Sequence, residues 1–137
     1  MMRVLFLCTH NSARSQMAEG MLRAWGGGRF EAFSAGVQAT EVRPLAITAM
    51  EEIGIDISSH QSKAIGVFDG QPFDYAITVC DDAKEACPVF PGAKRQLHWS
   101  FPDPAAAGGS DEARLAAFRR VRDQIAARIN DELIDAT

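Results

Sequence analysis

Cys8 is followed six positions later by Arg14, in the run Cys8-Thr9-His10-Asn11-Ser12-Ala13-Arg14-Ser15. A thiolate is a strong nucleophile. A guanidinium presents a planar fork that matches two oxygens of a tetrahedral oxyanion. Held in one loop, the two suit attack on a phosphate-like centre. The residues between them fit the same task. Successive backbone N–H groups form an anion-binding nest, and asparagine tolerates the left-handed backbone such a loop needs. The hydroxyls of Ser12 and Ser15 are donors for the sulfur. The run is not a nucleotide P-loop, because it lacks the two glycines and the Gly-Lys-Ser/Thr ending. The candidate oxyanion cradle is therefore Thr9, His10, Asn11, Ser12, Ala13 and Arg14, with Cys8 as nucleophile and Ser15 beside it.

Such a loop works only if the flanking elements hold it. Residues 4–7, Val-Leu-Phe-Leu, read as a strand buried on both faces. From Ser15, the residues Met17, Ala18, Met21, Leu22 and Trp25 recur at helical spacing until Gly26-Gly27-Gly28. That helix aims its positive end at the loop. Further strands are expected over 30–35, 75–79 and 94–99, and a helix over 43–53 with Pro44 in its first turn and Gly54 past its end. Ser110 is expected to cap a last helix, whose apolar stripe is Leu115, Phe118, Val121, Ile125, Ile129 and Leu133. Strands alternating with helices predict one α/β domain over 1–137, a four-stranded parallel sheet flanked by helices in three layers. Ligands of such sheets bind at the carboxyl ends of the strands. Cys8 and Cys80 both fall there.

Two more thiols, Cys80 and Cys87, stand seven positions apart. A helix between them would separate their Cα atoms by roughly 10 Å, beyond the roughly 4.4–6.8 Å of a disulfide. Pro88 and the charged residues Asp81, Asp82 and Glu85 mark the segment as a marginal helix that can refold. The residues alone leave open two separate structural cysteines or a mobile redox pair; the spacing does not suit a Cys-x-x-Cys metal site. Asp103, between Pro102 and Pro104, is either a turn aspartate or a carboxyl fixed to serve as general acid. His10, His60 and His98 show no metal-ligand spacing, and Trp25 and Trp99 read as packing residues.

The 137 residues carry a net charge of −4 and are 47% hydrophobic. General binding to nucleic acid or an anionic membrane is not expected. No apolar run is long enough to span a bilayer, and the stretch near Met1 is too short for a signal peptide. Three cysteines are a poor fit to a secreted disulfide scaffold. A cytoplasmic protein is expected.

The run from Cys8 through Ser15-Gln16-Met17-Ala18-Glu19 resembles the phosphate-binding loop of the low-molecular-weight protein tyrosine phosphatases, and more closely that of the arsenate reductases sharing their fold. The resemblance continues through Ser34-Ala35-Gly36, Gly54-Ile55-Asp56-Ile57-Ser58, Cys80-Asp81-Asp82 and His98-Trp99-Ser100-Phe101-Pro102-Asp103-Pro104, over nearly the whole chain. It implies a thiol relay: Cys8 attacks arsenate, Cys80 attacks Cys8 and arsenite leaves, and Cys87 resolves that bond. Thioredoxin would then reduce the Cys80–Cys87 disulfide. It implies Asp103 as general acid and no cofactor, with an arsenate- or phosphate-like oxyanion and thioredoxin as partners of an expected monomer. The alternative is a phosphatase, which needs only Cys8. Phosphatases of this fold carry a tyrosine after the Asp-Pro pair, whereas Ala105, Ala106 and Ala107 follow here. Some relatives hold potassium through residues matching Asn11, Glu19 and Ser34 plus an acidic residue. Lys63 stands where that acid aligns, so its ammonium is expected to replace the ion.

Overall fold

The computed structural model describes residues 1–81 and 87–136. Four strands, β1 (Met2–Cys8), β2 (Phe30–Gly36), β3 (Phe73–Thr78) and β4 (Ala93–His98), form one sheet in the order β2-β1-β3-β4, with every pairing parallel. Among the described residues three α-helices accompany them: α1 (Arg14–Trp25), α2 (Pro44–Glu51) and α3 (Asp111–Ile129). Among the described residues, no helix is long and apolar enough to cross a membrane.

The chain leaves β1 for one neighbour and later returns to its other side as β3. The carboxyl ends of β1 and β3 therefore flank the switch in strand order, where ligands of open α/β sheets bind. Cys8 closes β1, and Cys80 lies two residues past β3.

Alternation along β1 divides the core. Val4, Phe6 and Cys8 join a cluster with Met17, Met21, Met50, Phe118, Val121 and Ile125, so all three helices pack on this face. Leu5 and Leu7 face the other way, against Ala35, Phe68, Phe73 and Phe90. The layers expected on the two faces are thus unequal. On the second face a short 3₁₀ turn, Ile65–Phe68, and an edge-to-face chain of Phe33, Phe68, Phe73 and Phe90 form the cover, with ring centroids 5.4–5.6 Å apart.

The element ends depart from the sequence expectation for local reasons. α2 begins at Pro44 because proline holds the residue before it extended, and Arg43 has φ −65° and ψ 133°. α2 ends at Glu51, and Gly54 turns the chain with φ 79°. β3 stops at Thr78, although the Val79 N–H still donates to the Leu7 carbonyl at 2.8 Å. Ser110 caps α3 as expected, its hydroxyl accepting from the Ala113 N–H at 3.1 Å. Apolar steps of four (Val121, Ile125, Ile129, Leu133) overrun a 3.6-residue turn. The chain answers with a wider π turn over Asn130–Ile134 that keeps Leu133 buried. The expected marginal helix at Asp82 and Glu85 lies outside the described residues.

Candidate active site

The loop is fixed from its centre. Asn11 is fully buried and adopts φ 51°, the left-handed conformation expected of it. Its amide nitrogen donates to Ser15 Oγ at 2.8 Å and to Ser34 Oγ at 2.9 Å. Its Oδ1 accepts from the Lys63 backbone N–H at 2.8 Å and from Gln16 Nε2 at 2.9 Å. One side chain thus ties the loop to α1, to β2 and to the segment before the 3₁₀ turn.

This wiring reaches the nucleophile through Ser15. Ser15 Oγ accepts from Asn11 and stands 2.8 Å from Cys8 Sγ. Toward a Cys8 thiolate its O–H would be the donor, and the Asn11 backbone N–H donates to the same sulfur at 3.2 Å. The hydroxyl and the amide both lie within hydrogen-bond distance of the sulfur. Ala13, the residue before α1, offers no side-chain acceptor to the helix amides, so they face the loop.

Arg14 is buried, its NH1 donating to the Phe101 carbonyl at 3.1 Å. Its NH2 lies 3.9 Å from Asp103 Oδ2. Asp103 Oδ1 accepts from the Ala105 N–H at 3.0 Å. The turn reading of Asp103 holds: the carboxyl caps a short turn and stays beside the arginine. His10 is exposed; its carbonyl accepts from Ser62 Oγ at 3.0 Å and Thr40 Oγ1 at 3.3 Å. The Thr9 carbonyl accepts from the Gln38 N–H at 3.1 Å and the Ser12 carbonyl from the Arg43 N–H at 2.8 Å. The carbonyls of Thr9, His10 and Ser12 are all engaged from outside the loop.

Cys80 and Cys87 are joined by a disulfide, with Cα atoms 6.1 Å apart. Cys80 is fully buried in the core cluster that holds Cys8, and the half-buried Cys87 packs against that cluster. Cys8 is a free, buried thiol.

Asn11, Ser34 and Glu19 do come together, since Ser34 Oγ donates to Glu19 Oε1 at 2.7 Å. Lys63 departs from expectation. Its ammonium donates to the Gln61 carbonyl at 2.7 Å, and its backbone N–H reaches Asn11 instead. The charge facing Glu19 comes from Arg23 at 3.0 Å, and the His60 imidazole lies 3.5 Å away. Alignment assigned the position; the direction of the side chain decided otherwise. Burial pushes the His60 imidazole below its usual value, against the opposing pull of Glu19. Among the described residues no group of three or more His, Cys, Asp or Glu side chains is arranged to hold a metal.

Sequence reasoning missed Gln16, Arg23, His60 and Gly36 as parts of the site. Gln16 Nε2 donates to the Asn11 carbonyl and to the Gln61 carbonyl, while its Oε1 meets His60 Nδ1 at 3.0 Å. At Gly36 a Cβ would stand 2.7 Å from the Asn11 nitrogen and 2.9 Å from the Thr9 oxygen, so the loop lies directly on the end of β2. The signal for Gly36 was its place at the end of an apolar strand. Gln16 stood only within the run that carries the resemblance, and Arg23 and His60 carried no signal.

A family model described as "Low molecular weight phosphotyrosine protein phosphatase" matches residues 3–135. An arsenate reductase of Halalkalibacterium halodurans is 48% identical over 126 residues, 92% of this chain and 91% of that protein. The solved structure of an arsenate reductase in the oxidized state superposes with a TM-score of 0.82 at 34% identity, covering 99% of this chain and 98% of that one. A thioredoxin-dependent arsenate reductase of Corynebacterium glutamicum superposes with a TM-score of 0.69 at 30% identity, covering 96% of this chain and 59% of that one.

Proposed function

The chain belongs to the low molecular weight phosphotyrosine protein phosphatase family, and from that premise we propose that it reduces arsenate to arsenite by a relay of three thiols. The observation that carries the reading is the Cys80–Cys87 disulfide set in the same core cluster as the free Cys8. Phosphate-ester hydrolysis would need only Cys8 of the three.

In the first step the Cys8 thiolate attacks arsenic while the Arg14 fork and the loop amides hold the oxyanion. An arsenate oxygen leaves as water, taking a proton from Asp103. Cys80 then attacks Cys8 Sγ. A Cys8–Cys80 bond forms, the electron pair of the S–As bond stays on arsenic, and arsenite leaves. Cys87 attacks Cys80, Cys8 departs as thiolate, and the Cys80–Cys87 bond remains. One arsenate and two thiols have become one arsenite, one disulfide and one water. A dithiol protein of the thioredoxin kind, acting in the cytoplasm, restores the pair. The Corynebacterium relative named as thioredoxin-dependent supports this donor.

The test is a single turnover without external thiol. Reduced protein and arsenate should give one arsenite per chain and a Cys80–Cys87 bond in the peptide map. Cys87→Ser should stop at a Cys8–Cys80 bond. Brisk aryl phosphate hydrolysis with no arsenite would move the assignment to the phosphatase reading, which the Arg14–Asp103 pair also equips.

A further inference from the structure

A cavity of about 320 Å³ opens beside the disulfide, lined by Thr78, Cys87, Val89, Leu97 and His98 among others. It puts an imidazole and a redox sulfur on the walls of one small space. Thr78 and His98 are register partners at the carboxyl ends of β3 and β4, and the Thr78 hydroxyl hydrogen-bonds His98 Nδ1. The ring is thereby anchored to the sheet on the side where Cys80 follows β3. Imidazole is the side chain suited to taking and returning a proton near neutrality. Cys87 needs such a partner, because only its thiolate attacks a disulfide.

We propose that His98 is the general base for Cys87, with Thr78 as the positioning residue that orients the ring. The role rests on the relay above. The Cys87 S–H gives its proton to a ring nitrogen of His98. The thiolate forms a bond to Cys80 Sγ, the Cys8–Cys80 bond breaks, and its electron pair leaves with Cys8. In the reductive half, a thiolate of the donor dithiol attacks Cys87, the less buried sulfur, and Cys80 leaves as thiolate. The donor's second thiolate closes the donor disulfide, and Cys87 leaves and recovers the proton from His98. The donor dithiol supplies both electrons.

The charged and titratable groups on the packed elements are Asp74 and Tyr75 on β3, Lys94 and Arg95 on β4, and Asp81 after Cys80. Asp74 and Lys94 pair with each other at 3.5 Å. Among the described residues His98 is the only titratable lining group besides Cys87. Asp82, Lys84 and Glu85 fall between the cysteines, outside the described residues.

The experiment uses full-length Cys8→Ser/Cys80→Ser protein, in which Cys87 is the one thiol. Its alkylation by iodoacetamide is timed from pH 5.5 to 10. With His98 present, the rate should persist below pH 7. Adding His98→Gln should slow it about tenfold at pH 6.5 and leave it unchanged at pH 9.5, where a free thiol ionises unaided. Thr78→Val should give the same shift in smaller measure, and decides the matter if His98→Gln does not fold. Superimposable profiles overturn the proposal. No arsenate enters this assay, so its failure is distinct from failure of the reductase reading.

Discussion

Replacing Asn11 with alanine tests whether one buried amide organises the nucleophile. The substitution leaves the Lys63 N–H without its acceptor at 2.8 Å, while Gln16 Nε2 keeps the Asn11 and Gln61 carbonyls. A buried donor left unpaired costs about 1–3 kcal/mol. Alanine at φ 51° adds roughly 1 kcal/mol of backbone strain, and the space left by the amide about 1 kcal/mol more. The sum is about 3–5 kcal/mol, read as a drop in unfolding free energy by urea titration. A second effect appears at Cys8. Without the Asn11 donor, Ser15 Oγ is free to turn its proton from the sulfur, and alkylation of Cys8 near neutral pH should slow several-fold or more. Asn11→Asp sharpens the point: the carboxylate keeps an acceptor for Lys63 but draws the Ser15 proton to itself. Aspartate should therefore restore part of the stability and none of the thiol reactivity. A loss under about 1 kcal/mol for alanine, or full Cys8 reactivity in the aspartate variant, would refute the wiring.

Gly36→Ala sets a methyl 2.7 Å from the Asn11 nitrogen and 2.9 Å from the Thr9 oxygen, both backbone atoms. The loop must move: the expected cost is about 1–3 kcal/mol, with turnover falling at least about tenfold through misplaced amides. Glu52 is held down from 4.5 to about 2, chiefly by the Arg119 hydrogen bond, with Arg122 adding to it. A lowered carboxylate contributes stability that is complete above its unfolded value and is lost as pH falls through its folded one. Glu52→Gln should therefore lower the melting temperature at pH 6, and the gap from the parent protein should close between about pH 4.5 and pH 2. A gap independent of pH across that window would contradict the ion pairs that tie the end of α2 to α3.

Some of the site was legible because its parts are consecutive. The Cys8-to-Ser15 run, the apolar strand before it and the helix after it are all local patterns. So is the Ser110 cap. The network behind the loop was not legible, because its partners meet only in the folded chain. Gln16 reaches Gln61, and His60 reaches both Gln16 and Glu19, across more than forty residues. Hydrogen-bonding side chains have no period to betray them. Lys63 shows the limit of reading by position: its rank in the sequence was right for the site, yet its main chain makes the contact. Periodicity also identified the helices without saying which face of the sheet each would cover.

Burial gives the proposed relay its direction. Cys8 and Cys80 are 2% and 0% exposed, while Cys87 sits half-buried at the rim of the same cluster. A sulfur bearing arsenic reacts with any thiol that can reach it, so a nucleophile open to solvent would lose its intermediate to small thiols. A buried first and second sulfur restrict that step to each other. The third must be reachable, because a protein donor has to touch it. In the proposed relay, oxidation would then travel outward, from the Cys8 loop to a disulfide with one accessible end. The proposed order of attack would then rest on burial, before any difference in sulfur chemistry is invoked.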